Sequence, residues 1–404
     1  METKNAGPAD PGAGGPWRSG PQPGRSLLSA CVVHVLHDGY TDLLYALLPV
    51  WQAQFGLSYT GLAAVRTLYY GTMGGLQVPG DRLAERFSLR MALTVSTFVA
   101  ALGYLVMALP FGFAGLCVGL VLTGIGSSVQ HPRASLLVTK AYGTQARGPL
   151  GIYNFAGDLG KATLPALVAL LLPVFAWRPV LGLVALLGFV VGISLLKLVP
   201  RRPLAHVATP EHAVDAGERS GLGLLMVIGA LDTATRMGYL LFLPFLIQDR
   251  GGTSVTLGLG LALVFAGGAI GKAVCGWLGH HLGVVGSVVI TEVATAALIA
   301  TTLFVPLSPM LALLPFLGVV LNGTSSVLYG TVPELAPKGD TAHAFALFYT
   351  SVIGAGAFAP LAYGAIADHL GQSFGVISSG VTALLTLPLI VILRPALVIR
   401  SVSQ

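Results

Sequence analysis

The residues best suited to chemistry in this sequence form a polar stripe inside its first long apolar segment. His34, Asp38 and Asp42 follow one another at intervals of four residues between Leu27 and Val50. On a helix each such step turns the side chain by only about 40°, so the three share one face. Ionised groups are costly in a segment long enough to cross a bilayer, and they mark proton or ion pathways. We therefore predict proton coupling here; the alternative is a hydrogen-bonded pair that only locks the helix.

The next apolar segment contains an arginine. Arg66 precedes Tyr70 by four residues, so the two side chains share a helix face. An unpaired arginine at the centre of a bilayer costs at least roughly 2.5 kcal/mol, and it therefore needs an acid, an anionic substrate or water beside it. We expect Asp38 or Asp42 to be its partner, and we assign Arg66 and Tyr70 to substrate binding.

Two further apolar segments carry polar groups at helical spacing. His131 follows a Gly-x-Gly stretch that permits close helix approach, and Pro132 invites a kink, so we place His131 in a substrate cavity. Asn154, Asp158 and Lys161 lie on one helix face, where Asp158 and Lys161 are able to pair. We expect Asn154 and Asp158 to contact substrate; a purely structural pair is the alternative.

The second half of the chain has a similar arrangement. Asp232 and Arg236 are separated by one helical turn in an apolar segment, and we assign both to substrate binding. Lys272 and Glu292 are further charges in apolar segments. We expect Glu292 to lie near a helix end or in a structural pair outside the site.

The balance of these charges bears on the substrate class. The acids are Asp38, Asp42, Asp158, Asp232 and Glu292, and the bases are Arg66, Arg133, Lys161, Arg236 and Lys272. Equal numbers suit internal pairing plus a small anionic or zwitterionic organic substrate. A large lipophilic cation needs no such array of bases.

Composition restricts the class of protein. With 54% hydrophobic and 9% charged residues, the chain is too apolar for a soluble globular domain and is predicted to be an integral membrane protein. Its net charge of +6 is scattered between apolar segments, which indicates membrane topology and not a nucleic-acid site. The three cysteines lie in apolar segments without CxxC spacing. We expect no metal, no cofactor and no nucleic-acid partner.

The apolar segments predict an all-α membrane protein with twelve transmembrane helices in two six-helix bundles. The predicted spans are 27–50, 59–79, 91–110, 112–139, 148–173, 177–199, 222–247, 255–278, 284–305, 309–332, 342–366 and 373–397. We divide the chain into a disordered cytoplasmic tail (1–26), a first bundle (27–199), a cytoplasmic linker (200–221), a second bundle (222–398) and a short cytoplasmic tail (399–404). The halves share proline and leucine landmarks at an offset of 195 residues, which favours duplication over chance.

The basic residues predict the orientation. Cytoplasmic loops retain Lys and Arg, and with the N-terminus inside, only Arg178 and Arg250 fall in the outer loops. Both termini are therefore predicted to be cytoplasmic.

Several motifs resemble the major facilitator superfamily, and within it the fosmidomycin-resistance type of exporter. The most specific is Gly-Ile-Gly-Ser-Ser-Val-Gln-His-Pro at 124–132; His-Val-Leu-His-Asp at 34–38 and the glycine-rich stretch 157–165 add to it. The resemblance covers most of the first half, and the second half matches mainly in its general plan. It implies two bundles that rock about a midplane site, and export of drugs.

The loop between spans 2 and 3 is similar to the superfamily's conserved loop but departs from it. Residues 81–90 keep an acid and two bases, Glu85, Arg86 and Arg90, and both family glycines are replaced. The resemblance implies that these three residues take part in conformational gating. Arg133 stands where the family has an acid after His-Pro.

These observations predict a proton-coupled secondary transporter that exports a small anionic or zwitterionic compound or drug by antiport. Uptake by proton symport and sodium coupling remain open alternatives, and a non-transporting membrane receptor or scaffold is a rival of another class. An intramembrane enzyme is disfavoured because the sequence lacks His-Glu-x-x-His, Gly-x-Ser-x-Gly and Walker motifs. We expect a monomer in the bacterial inner membrane whose partners are protons, a small-molecule substrate and the lipid bilayer.

Overall fold

The computed structural model describes residues 21–200, 221–336 and 341–401, and in these ranges it is helical without strands. The α-helices are α1 (Pro21–Asp42), α2 (Leu44–Phe55), α3 (Tyr59–Gly75), α4 (Gln77–Ala84), α5 (Leu89–Ala108), α6 (Gly112–Tyr142), α7 (Arg147–Leu171), α8 (Trp177–Leu198), α9 (Leu222–Asp249), α10 (Ser254–Phe304), α11 (Leu307–Leu335), α12 (Thr341–Leu370) and α13 (Gln372–Ser401). A short 3-10 helix, Gly143–Gln145, joins α6 to α7.

Local sequence explains where several helices begin. Ser58 and Ser88 cap α3 and α5, since each hydroxyl accepts a hydrogen bond from the backbone N–H three residues later. Thr253 starts α10 with a reciprocal capping box that includes Thr256. These caps satisfy backbone donors that the first helical turn leaves free.

Eight of the described helices are long and apolar enough to cross a membrane, namely α5, α6 and α8–α13. Among them α10 runs for 51 residues, which would be about 76 Å if it were straight. Gly283 interrupts it with φ 70° and ψ 174°, a conformation that favours glycine. The predicted loop between spans 8 and 9 is therefore a sharp break at one glycine.

The boundaries of the first predicted spans differ from the structure. The helix begins at Pro21, six residues before the predicted start at Leu27, and it continues past Leu43 as α2. The second predicted span comprises α3 and α4, which are separated at Leu76. The predicted linker 200–221 lies almost wholly outside the described residues, as do residues 1–20 and 402–404 of the two predicted tails. Residues 21–26 of the first tail, predicted to be disordered, are helical, and α13 continues to Ser401.

The packing of the helices brings the polar segments together. In the first half, α1 packs against α6, α7 and α8, and α5 packs against α6 and α8. In the second half, α9 packs against α12 and α13, and α10 packs against α11 and α13. The halves meet where α7 contacts α10 and where α3 contacts α12.

Small residues allow these close approaches. A Cβ added to Gly160 of α7 would lie 2.1 Å from the carbonyl oxygen of Val35 on α1. The backbones of α1 and α7 are thus near contact at the level of the polar stripe.

Candidate functional site

The centre of the site is the carboxylate of Asp38, which is 6% exposed. Three nitrogen atoms surround it: His34 Nε2 lies 3.2 Å from Oδ2, Lys161 Nζ lies 3.2 Å from Oδ2, and His131 Nε2 lies 3.5 Å from Oδ1. These residues come from α1, α6 and α7. One buried acid therefore shares its environment with a lysine and two titratable imidazoles.

The hydrogen bonds of His34 indicate where a proton resides. Its Nδ1 lies 2.8 Å from the carbonyl oxygen of Tyr153, and a carbonyl only accepts, so Nδ1 carries a hydrogen. Its Nε2 faces the Asp38 carboxylate. A hydrogen bond between Nε2 and this carboxyl requires one further proton, on the imidazole or on the acid. The geometry of the pair therefore places one shared proton between the two groups.

The same residues also resemble a metal site in their spacing. Ligand atoms of His34, Asp38 and His131 all lie within 4.8 Å of one another. The ammonium group of Lys161 contacts the same carboxylate, however, and supplies a positive charge there. The donor set therefore suits a proton better than a divalent cation, which a neighbouring ammonium repels.

His37 lies beside this cluster but has a different environment. Its Nε2 is 3.2 Å from Thr97 Oγ1, whose own hydrogen is donated to Leu93 O, so Nε2 is the donor. Its Nδ1 is hydrogen-bonded to Ser127 Oγ at 3.0 Å, and Ser127 is in turn bonded to Tyr69. A neutral imidazole satisfies all of these contacts, which favours a structural role.

Arg66 is buried, but the expectation that it pairs with Asp38 or Asp42 is wrong. In the described part of the chain no carboxylate lies within 4.0 Å of its guanidinium. Instead Nη2 donates to Met237 Sδ at 3.0 Å and Nη1 donates to the carbonyl oxygen of Gly356 at 3.4 Å. The sequence could not show this, because the partners belong to helices of the other half.

Tyrosine rings flank the same guanidinium. Arg66 Cζ lies 4.8 Å from the ring centre of Tyr45 and 5.0 Å from that of Tyr70, within the range of cation–π interaction. Tyr70 thus lies beside Arg66, as their spacing predicts.

Arg236 is a second guanidinium without an acid in contact. Its Nη2 donates to Thr233 Oγ1 at 3.4 Å, and no carboxylate of the described residues lies within 4.0 Å of it. Asp42, which is 5% exposed, likewise has no ion pair within that distance in the described ranges. Two arginines and one carboxylate therefore have no oppositely charged group within 4.0 Å among the described residues.

The two acid–base residues of α7 pair with other helices and not with each other. Lys272 on α10 donates to both oxygens of Asp158, at 2.7 and 2.6 Å, whereas Lys161 contacts Asp38. The pairing considered within α7 is therefore absent from the described ion pairs. Asn154 is exposed on α7.

Asp232 and Glu292 form a contact; the sequence analysis allowed a pair for Glu292 but did not name its partner. Both side chains are buried, and their carboxyl groups face each other at hydrogen-bonding range. Glu292 lies in the middle of the helical stretch after Gly283, so of the two expected placements, near a helix end or in a pair, the structure shows the pair. A signal was present, since an acid in an otherwise apolar span rarely lacks a partner.

Arg133 connects α6 to α4. Its Nε lies 2.6 Å from Asp81 Oδ1, its Nη2 also donates to the Asp81 carbonyl oxygen, and Glu85 Oε1 is 3.6 Å away. Among the predicted gating residues, Glu85 is thus in an ion pair, while Arg86 is exposed and Arg90 Nε has no hydrogen-bond partner. Asp81, which was not predicted, provides the shorter contact.

Comparisons with known proteins agree with this architecture. Residues 30–223 match the family model of the Major Facilitator Superfamily. The chain is 23% identical over 355 residues to the fosmidomycin resistance protein of Escherichia coli (strain K12), covering 83% of this chain and 84% of the relative. It is 24% identical over 247 residues to a probable L-galactonate transporter of the same organism, covering 56% of this chain and 54% of the relative.

A solved structure supports the same fold. A bacterial homolog of the human lysosomal transporter Spinster, in an inward-facing and unoccupied conformation, superposes with a TM-score of 0.77 at 14% identity. The match covers 95% of this chain and 99% of the solved chain. Residues 30–223 thus match the major facilitator superfamily, and the described helices have the fold of a solved multi-pass transporter.

Proposed function

We propose that the protein is a proton-coupled secondary transporter that exports a small organic anion or zwitterion in exchange for protons. The observation that carries this proposal is the uneven pairing of its buried charges. Asp38 contacts three nitrogen groups, whereas Arg66 and Arg236 contact no carboxylate in the described residues. The first arrangement suits proton exchange, and the second leaves positive charge for a substrate.

In this proposal Asp38 is the protonation switch, and His34 holds the shared proton. Protonation of Asp38 on α1 would weaken its attraction to Lys161 on α7. Because α1 and α7 pack tightly here, a change in this ion pair alters the contact between them. Asp42 is a second proton acceptor one turn further along α1.

Substrate binding is assigned to the region between the halves. Arg66, Tyr70 and Arg236 would contact the anionic group, because arginine binds carboxylate and phosphate with parallel hydrogen bonds. His131 and Asn154 are partly or well exposed and complete the lining. Asp158 would take part in substrate binding indirectly: its carboxylate accepts a hydrogen bond from Lys272 and so holds the lysine side chain in place. One relative is named for L-galactonate, an organic anion, which supports this substrate class.

The proposed architecture is the twelve-span, two-bundle arrangement. Helices α1 with α2 and α3 with α4 would each cross the membrane once, and α10 would cross twice around Gly283. The bundles 27–199 and 222–398 would rock about the site between them. Glu85, Arg86 and Arg90 would gate this motion near the end of α4, where Arg133 holds the loop.

Export is also favoured by the membrane potential. The exit of an anion and the entry of a proton both move positive charge inward, and each charge contributes about 2.3 kcal/mol per 100 mV. Uptake of a monovalent anion with one proton would be electrically neutral. Dependence on the membrane potential therefore distinguishes antiport of an anion from symport with one proton per anion.

The test uses proteoliposomes with a pH-sensitive dye inside and an imposed potassium diffusion potential. L-galactonate, benzoate and fosmidomycin are compared with tetraphenylphosphonium, a lipophilic cation. We expect proton flux with at least one anion, dependence of that flux on the potential, and loss of both in Asp38→Asn. Asp249→Asn is the matched control, because Asp249 is an exposed carboxylate on α9. Flux with the cation alone, or normal coupling in Asp38→Asn, would contradict the proposal.

A further inference from the structure

A second acidic centre lies away from Asp38, in the second half of the chain. Asp232 on α9 is 3% exposed, and Glu292 on the later part of α10 is 1% exposed. Neither contacts any of the residues that surround Asp38. The mechanism proposed above leaves this pair without a role.

The contact itself requires a proton. The two carboxyl groups face each other at hydrogen-bonding range, and an ionised carboxylate only accepts hydrogen bonds. Asp232 Oδ2 and Glu292 Oε2 are both buried without a donor among the described residues. Two adjacent carboxylates out of water repel each other, so one of them must hold a proton for the contact to persist.

The surroundings do not neutralise the pair by direct contact. Arg236, one turn along α9, adds a favourable field but lies beyond 4.0 Å of both acids. The other neighbours are the Thr324 hydroxyl of α11, which faces Glu292, and the Cys275 thiol from the first part of α10. This environment differs from that of Asp38, where Lys161 contacts the acid.

Buried hydroxyl groups extend from the pair along both helices. Thr235 and Thr295 are each three residues beyond one of the acids, and neither hydroxyl has a hydrogen-bond partner in the described part of the chain. Further along, the Tyr239 hydroxyl faces Thr302 without a direct hydrogen bond. Buried polar groups without protein partners are commonly satisfied by ordered water. The line ends near Arg250, which donates to the carbonyl oxygens of Thr302 and Leu303.

We propose that Asp232 and Glu292 form a second proton-binding site, reached by a hydrated path along the α9 and α10 hydroxyl groups. One proton is shared between the two carboxyl oxygens in one state of the transport cycle and leaves along the path in the other. The role of this proton in coupling rests on the proposed function above. Its binding by the carboxyl pair does not depend on the identity of the substrate.

Infrared difference spectra between the reconstituted wild-type protein and each variant test directly whether the carboxyl pair binds a proton. At neutral pH we expect the carbonyl stretching band of a protonated carboxylic acid, and we expect its loss in Glu292→Gln and in Asp232→Asn. The band should persist in Asp249→Asn, which changes an exposed acid of the same helix. A spectrum unchanged by both substitutions in the pair would overturn the proposal. Circular dichroism and gel filtration establish that each variant is folded, and two independent substitutions guard against misfolding of either one.

The path is tested by the rate at which this band shifts when H₂O is replaced by D₂O. Thr295→Val keeps the shape of the side chain and removes the hydroxyl, so we expect several-fold slower exchange with the band intact. Thr301→Val is the matched control, because Thr301 is a half-buried threonine on the same helix whose hydroxyl already donates to the carbonyl oxygen of Ala297. Equal exchange rates in both variants would overturn the path.

The role in coupling is measured with the anion that gives flux among L-galactonate, benzoate and fosmidomycin. We expect Glu292→Gln to lower the number of protons moved per substrate, measured from the reversal potential, while transport persists. An unchanged ratio would overturn the coupling role. If wild-type protein moves no protons with any anion, the proposed function fails, and the infrared measurement still decides whether the pair binds a proton.

Discussion

Lys272 donates to both carboxylate oxygens of Asp158, at 2.7 and 2.6 Å, and so ties α10 of the second half to α7 of the first. One turn further along α7, Lys161 contacts Asp38 on α1. Helix α7 is therefore held by lysine–aspartate pairs on two sides. A change in either pair during transport would be transmitted through the same helix.

Loss of the Asp158–Lys272 pair should destabilise the contact between the halves. In Lys272→Gln the buried Asp158 loses its cation, and breaking a buried pair costs roughly 3–5 kcal/mol. Because the Lys272 side chain is 39% exposed, we expect about 2 kcal/mol here. Thermal unfolding of the purified protein measures the change.

A double substitution separates the pair from its surroundings. Asp158→Asn with Lys272→Gln removes both charges, so it should recover part of the stability lost in Lys272→Gln. Strictly additive losses would show that the two residues act independently.

Gly157 should be intolerant of even one added methyl group. A Cβ at this position would lie 2.6 Å from Asp38 Oδ2 and 2.7 Å from His34 Nε2, closer than atoms pack. Gly157→Ala must displace the acid or the imidazole, and we expect a loss of roughly 1–3 kcal/mol in stability together with impaired proton coupling.

Gly151 on the same helix is the matched control for this substitution. It is exposed, and nothing lies within 4 Å of an added Cβ. Alanine there should be neutral or should stabilise the helix by about 0.5–1 kcal/mol. Equal effects of the two substitutions on coupling would contradict the steric explanation.

The difference between Asp38 and Arg66 shows what the sequence could and could not predict. Asp38 contacts His34 one turn away on the same helix, and that neighbour follows from spacing alone. Arg66 contacts Met237 and Gly356, which depend on how the two halves dock. Local periodicity carries no information about docking, so a carboxylate partner was expected there wrongly.

The same limit applies to helix boundaries and to Glu292. Apolar runs located most helices and the interruption between residues 278 and 284, but they did not show that it is a break at Gly283 and not a loop, because that depends on backbone conformation. Glu292 was expected near a helix end or in a structural pair, but its partner Asp232 lies on a neighbouring helix, which spacing along the chain does not reveal.

Neutralising Arg66 or Arg236 should weaken substrate binding more than it weakens folding. Neither guanidinium has an acid that would be left unpaired, so Arg236→Gln removes a charge without creating an orphaned carboxylate. Charge-assisted hydrogen bonds contribute roughly 1.5–3 kcal/mol, which corresponds to about a tenfold to hundredfold rise in KM for an anion.

Arg236→Lys serves as the conservative comparison, since lysine keeps the charge and loses the fork of parallel donors. We expect it to recover part of the affinity in the proteoliposome assay. Unchanged KM in both variants would remove Arg236 from the binding site.

The contact of Arg133 with Asp81 should matter for stability and for the rate of conformational change. Arg133 is 5% exposed and carries the ion pair that joins α6 to α4, so Arg133→Gln leaves Asp81 without its cation. Asp81 is partly exposed, and we therefore expect a loss of about 2 kcal/mol, below the full cost of breaking a buried pair. Glu85→Gln should cost under about 0.5 kcal/mol, because that carboxylate is well exposed and more distant.

Arg82→Gln, which changes an exposed arginine on α4, controls for the loss of a positive charge. If the pair gates the motion, Arg133→Gln will change the maximal transport rate with KM unaltered; a fall in stability with a normal rate would assign the pair to folding alone.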